Sequence, residues 1–147
     1  MINQSAAIAT QLKTALQAVL IANGYTYNLG QNVYDGFLAH AIQNDAALPL
    51  VAIESLERDA LNESAVGYFD FDERYELKIV VQSGVGDTAA LRDLRFDVIR
   101  AITSATALQN LITGFNIGPS RTELNEDGSK HAVFSQQITF RYREVYT

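Results

Sequence analysis

Polar and apolar residues alternate most cleanly between Arg74 and Gln82. Tyr75, Leu77, Ile79 and Val81 fall on one side there, and Arg74, Glu76 and Lys78 on the other. Period-two alternation predicts a half-buried strand. Ser83-Gly84-Val85-Gly86 then breaks the chain, and the period changes. Asp87 suits an N-cap, since its carboxylate can accept from the open N–H groups of a first helical turn. Beyond it Leu91, Leu94, Val98 and Ile102 recur on one helical stripe. A strand, a glycine turn and a helix folding its apolar side back form a minimal core. A second amphipathic helix is predicted over Ser5–Ile21 from Ile8, Leu12, Ala15, Leu16, Val19 and Leu20, with Ser5 as cap and Asn23-Gly24 as stop. Its apolar side is expected to serve packing.

The remaining segments are arranged around that centre. Tyr25–Asn32 reads as a loop or short extended stretch. Val33–Ala47 has the weakest periodicity, with a turn at Asp35-Gly36 and one or two helical turns over Phe37–Ile42. A connector tucked onto the sheet is the plainer of two readings of it; the other is a segment that orders against a partner. Pro49–Leu56 predicts a strand, with proline tolerated at its first position, and Glu57–Ser64 an acidic connection. Val66–Gln82 predicts one long strand, or a strand bulged near Asp72 and Glu73, long enough to project as an arm or hairpin. Ala105–Ile112 reads as a short helix stopped by Gly114, and Phe115–Pro119 as a turn into Ser120–Leu124. Asn125–Ser129 carries the Asp-Gly pair of a hairpin. In the last strand Phe134, Ile138, Phe140 and Tyr142 share one face, and Ser135, Gln137, Thr139, Arg141 and Arg143 the other. This order predicts an α+β fold, a mostly antiparallel sheet of four to five strands with two main helices packed on one face.

Length changes the picture little: 147 residues fit a single domain over 1–147. With 48% hydrophobic and 19% charged residues the chain can build a core. It contains no cysteine, which removes disulfides, thiolate metal sites and cysteine nucleophiles together. A formal charge of −6 argues against a general nucleic-acid-binding surface and leaves room only for DNA that passes by. The apolar run Ala15–Ala22 is interrupted by Gln17 and is far too short for a bilayer, so neither a membrane anchor nor a signal peptide is expected.

Candidate chemistry is sparse. His40 and His131 have no second ligand at metal spacing and are expected at the surface. Gly84-Val85-Gly86 lacks the third glycine of a dinucleotide fingerprint and reads as a tight turn. Eight acids lie between Glu54 and Glu76, namely Glu54, Glu57, Asp59, Glu63, Asp70, Asp72, Glu73 and Glu76, against Arg58 and Arg74. They read as a solvated face or interface rather than as paired catalytic carboxylates. On the helix, Arg92, Phe96, Ile99 and Thr103 lie beside the core stripe, suited either to a subunit contact or to the rim of a wide core face.

The layout as a whole carries a resemblance. An opening amphipathic helix precedes Leu48-Pro49-Leu50-Val51-Ala52-Ile53 and the strand Tyr75–Val81; Asp87 and a helix ending Val98-Ile99-Arg100-Ala101-Ile102 follow. The chain closes with Ala132-Val133-Phe134 and Ile138-Thr139-Phe140-Arg141-Tyr142. This resembles the tail terminator (tail completion) proteins of long-tailed phages, over nearly the whole chain and in strand texture rather than in any diagnostic residue. The resemblance implies a virion structural protein and no enzyme, with no catalytic residue and no cofactor. Made in the host cytoplasm, it would act at the head-proximal end of the tail. There it would form a hexameric ring on the tail tube protein, end tube polymerisation and present a docking surface to the head-side connector or neck protein. DNA would only pass through the channel. On that view Asp59, Glu63, Asp70 and Asp72 are candidate channel-facing acids, and Tyr68, Phe69, Phe71, Arg92, Phe96 and Arg100 a candidate subunit interface. A head–tail adaptor or tube subunit is the nearest alternative. A small α+β enzyme or ligand-binding domain is another, and requires a concave pocket with converging polar groups.

Overall fold

Fifteen residues of strand on each side make the spine. The computed structural model describes residues 2–43, 47–62, 67–82, 88–124 and 131–146. In it β3 (Tyr68–Gln82) and β5 (His131–Val145) pair antiparallel along their whole length, from Tyr68 opposite Val145 to Gln82 opposite His131. β2 (Leu50–Ala60) flanks β3, and β4 (Gly114–Leu124) flanks β5. β1 (Val33–Asp35) joins β2 in parallel at Val51–Ile53, giving the order β1-β2-β3-β5-β4. The fold is therefore α+β, with a five-stranded, mostly antiparallel sheet.

Alternation decides what each face buries. Phe71, Tyr75, Leu77, Ile79 and Val81 of β3 and Phe134, Ile138, Phe140 and Tyr142 of β5 point to one side, the inner face. Against them pack Ile8, Leu12 and Leu16 of α1 (Gln4–Gln17) and Leu91, Leu94, Val98 and Ile102 of α3 (Thr88–Ser104), the predicted stripes. Truncating a fully buried leucine such as Leu12 or Leu94 to alanine in such a core costs about 2–5 kcal/mol. The short helix α4 (Thr106–Gln109) adds Leu108 to the same cluster. The two main helices thus share one face. The outer face has its own smaller cover, because Val80, Val133 and Leu50 are apolar at outward positions. Leu38 and Ala41 of α2 (Leu38–Gln43) pack on them together with Tyr34. Val33–Ala47 accordingly supplies a strand and a helix, and its described part is a connector laid onto the sheet.

Several boundaries differ from expectation for local reasons. The N-cap of α1 is Asn3, whose side chain accepts from the Ala6 N–H, rather than Ser5. α1 ends at Gln17, and Gly24 (φ 88°) closes a separate 3-10 turn, Ile21–Asn23. The chain leaves α1 early because a second such turn, Leu29–Gln31, docks on the helix end. Gly30 donates to the Val19 carbonyl at 2.8 Å, so close that a Cβ there would collide with the Gln17 carbonyl. Gly114 opens β4 instead of stopping a helix, and Gly118-Pro119 is a bulge inside β4 between Ile117 and Ser120 rather than a turn before it. The stretch Glu57–Ala60, expected as a connection, continues β2. Strict alternation past Ser55 would turn Glu57 and Asp59 inward. A bulge at Leu56 resets the parity, so that Glu57 faces Arg74 and Asp59 faces Asp72 on the outer face. β3 pairs without a register shift, so the bulge lies on β2, not near Asp72 and Glu73. The predicted Asp87 cap, the Gly84-Val85-Gly86 turn and the Asn125–Ser129 hairpin turn lie outside the described residues, as does the His131 side chain.

Candidate interaction surface

The distal half of the sheet carries Ser55–Ala60 of β2, Tyr68–Tyr75 of β3 and Ile138–Val145 of β5, and most polar residues singled out in the sequence fall there. Its two faces differ. On the inner face, aromatic rings continue the core: Phe71 lies 5.9 Å from Tyr142, and Tyr75 5.7 Å from Phe140, between ring centres. Among them Glu73 is almost fully buried. Its carboxylate accepts from the hydroxyls of Tyr142 (2.6 Å), Ser5 (2.7 Å) and Ser55 (3.0 Å). Burial pushes this carboxyl up, but hydrogen bonds from Tyr142, Ser5, Ser55 and Tyr75 outweigh it and hold it below the usual glutamate value. Burial, then the neighbouring carboxylate, pushes Tyr142 up to about 12 and raises Tyr75 further. Arg58 stacks 4.1 Å over the Phe71 ring and donates to the Tyr142 hydroxyl at 3.4 Å.

Glu144 completes this face by accepting from the Gln4 and Ser5 N–H groups at 2.8 and 3.2 Å, where α1 begins. A carboxylate at a helix N-terminus meets unsatisfied donors and the positive end of the helix dipole. The distal strands therefore do not project as a bare arm; α1 lies over them. An open groove of about 610 Å³ remains beside it, lined by Ile2, Ala6, Arg58, Glu73 and Tyr146 among others. Its polar groups mostly satisfy one another, with both serine hydroxyls donated to Glu73 and neither held by a base. Among the described residues no three histidine, aspartate or glutamate side chains converge as metal ligands. Among the described residues, too, no helix is long and apolar enough to cross a membrane.

The outer face is a ladder of cross-strand ion pairs. Arg141 holds Asp72 through two bonds of 2.9 and 3.0 Å, and Arg143 holds Asp70 through two of 2.9 and 3.2 Å. Arg74 pairs with Glu57. Hydrogen bonding from Arg143 lowers the Asp70 carboxyl. Of the candidate channel acids, then, Asp70 and Asp72 are charge-matched within the chain. Asp59 is exposed opposite Asp72. Glu63 lies outside the described residues.

The candidate interface residues are dispersed. Phe71 is a core residue and Phe69 packs partly against the core. Tyr68 is half-buried beneath the Arg143 guanidinium, 4.2 Å away. Arg100 stacks 4.6 Å over Tyr25 and donates to the Gly24 carbonyl, securing the turn after α1. Phe96, 67% exposed, and Arg92 point outward from α3.

Buried acids form the group that sequence reasoning missed. Glu54 and Glu73 were expected on a solvated face and are both interior. Glu54 accepts from the Leu38 N–H that opens α2 (2.9 Å) and faces Lys78 Nζ at 3.3 Å. Asp97 accepts from the Thr26 N–H at 2.8 Å, and Glu144 anchors α1. Glu73 and Glu144 sit at inward parity and Asp97 beside Leu94 and Val98 of the α3 stripe, which is the available signal, whereas Glu54 is at outward parity and is buried beneath α2. An acid at a core position predicts a backbone or hydroxyl donor nearby.

No known protein family's sequence profile matches the chain, and no characterised protein sequence does. Solved structures do. A chain from the virion of a native gene transfer agent (GTA) particle superposes with a TM-score of 0.56 at 14% identity, over 97% of this chain and 95% of that one. At that identity the likeness is one of fold.

Proposed function

We propose that this chain is a structural component of a phage-like virion, and within it a tail terminator. Copies close into a hexameric ring on the last ring of tube subunits, end tube growth and offer a surface to the head-side connector. The observation that carries this reading is the match of nearly the whole chain, end to end, to a chain of a GTA virion. The distal half of the sheet is consistent with it. Its inner groove is lined by mutually bonded groups, and its outer face is built of ion pairs, an arrangement suited to contact rather than turnover.

In the ring, Asp59, Glu63, Asp70 and Asp72 face the channel. With Asp70 and Asp72 matched by arginines, the exposed Asp59 supplies negative charge that keeps passing DNA from sticking. Phe96 and Arg92 contribute to subunit contact.

Electron microscopy of the purified protein, alone and with growing tubes of its own particle, tests the reading. Closed rings and capped tubes are expected. An endless filament of this chain alone would instead identify a tube subunit, and rings that leave tube length unchanged a head–tail adaptor. Replacing the four acids by Asn or Gln should leave rings intact and alter DNA passage; loss of the fold in that variant would refute a channel role.

A further inference from the structure

Among the described residues, both edges of the sheet stay open in the distal half. β1 covers β2 only at Val51–Ile53, so Ser55–Ala60 pairs on one side alone and is exposed throughout. β4 closes the other side of the sheet, and its proximal half is interrupted by the Gly118-Pro119 bulge, a device that blunts an edge. Gly114–Ile117 is the regular part. We propose that a second copy of this chain adds its β2 to β4, joining Gly114–Ile117 antiparallel to Ser55–Ala60 of the neighbour; this rests on the ring reading and names its joint.

Strand polarity permits it. β2, β3, β5 and β4 alternate in direction, so copies set side by side with the same face inward bring β4 antiparallel to the next β2. The rows across the sheet then fix the register. Asp59 is level with Asp72, Arg141 and Gly114; Glu57 with Arg74, Thr139 and Asn116; Ser55 with Tyr75, Ile138 and Ile117. Continuing each row into the neighbour sets Gly114 against its Asp59, Phe115 against its Arg58, Asn116 against its Glu57 and Ile117 against its Ser55. One antiparallel register satisfies the first three, the bulge at Leu56 takes up the shift to the fourth, and inner positions meet inner positions.

Each juxtaposition supplies what a partner strand requires. Asp59 faces a like charge, Asp72, across the strand pair, an unfavourable placement. In the joint it reaches toward Arg141 across Gly114, where the space a side chain would fill is open. Ile117 and Leu56 are 48% and 42% exposed, and the bulge puts Leu56 next to the row on which Ile117 meets Ser55, so both lose solvent in the joint. Arg58, already stacked on Phe71, meets a second ring in Phe115 on the same face. The occupant is a second copy because the two edges complement one another in polarity, level and charge.

The chain lacks cysteine, so a clean cross-link is available. Glu57→Cys and Asn116→Cys are combined in the full chain, oxidised, and followed by non-reducing electrophoresis and light scattering, with circular dichroism confirming the fold. A ladder of linked multimers ending near six copies is expected, with neither single variant giving one. Assembled species whose thiols stay reduced would overturn this joint and leave the ring reading standing. Monomers with reduced thiols would overturn the joint too, and capping of tubes would then decide the ring reading separately. A ladder without end would support the joint and refute the terminator role.

Discussion

Glu73 shows how a single carboxylate can be kept charged inside a protein. Three hydroxyl groups from α1, β2 and β5 close on it, and together with Tyr75 they outweigh the cost of burial. Because its folded value is depressed, Glu73 adds stability above its unfolded value near 4.5 and loses it as pH falls through the folded value. Glu73→Gln should therefore cost about 1–3 kcal/mol at pH 7. The gap from the parent protein should narrow below about pH 4.5, as read from urea midpoints across pH. An unchanged gap down to pH 3 would show that the carboxylate charge does not matter. The stripes of α1 and α3 were plain in the sequence because helical period places their members within a few residues of each other. The partners of Glu73 and Glu144 were not, because Ser5 lies 68 residues from the one and Gln4 140 from the other. Only the folded chain brings such donors to the acid.

Elements follow the same division. β5 and α3 were legible in pattern from their alternation and stripe, and β3 likewise except at Glu73, an acid at an inward position that left a bulge open as a second reading. β2 was legible only to Leu56, where the bulge inverts which residues face inward and defeats any reading by strict alternation. β1 and α2 were hard to place because six residues of helix and three of strand are too short to show a period. α2 depends instead on a tether, the Glu54 carboxylate at the Leu38 N–H, together with a small apolar contact on the outer face. Glu54→Ala should release it before the rest of the fold. Hydrogen exchange would show the amides of Leu38–Ala41 losing protection about tenfold or more, while those of β3 and β5 fall only by the global change of about 1–2 kcal/mol. Uniform loss across the sheet would mean that α2 is integral to the core.

At the scale of the molecule, chain order and strand texture conveyed the α+β architecture, whereas the proposed joint between copies arises from rows spanning four strands. No segment of sequence displays the level on which Asp59, Asp72, Arg141 and Gly114 lie. Leu56 is the supernumerary residue of that arrangement, since Glu57 keeps Arg74 as its partner whether or not a residue intervenes after Ser55. Removing it would regularise the strand and keep the cross-strand pairs inside the subunit, while taking an exposed apolar side chain out of the proposed joint beside Ile117 of the neighbour. A chain shortened by that one residue should melt within a few degrees of the parent yet sediment as separate copies. Such a deletion would uncouple making the subunit from making the proposed collar.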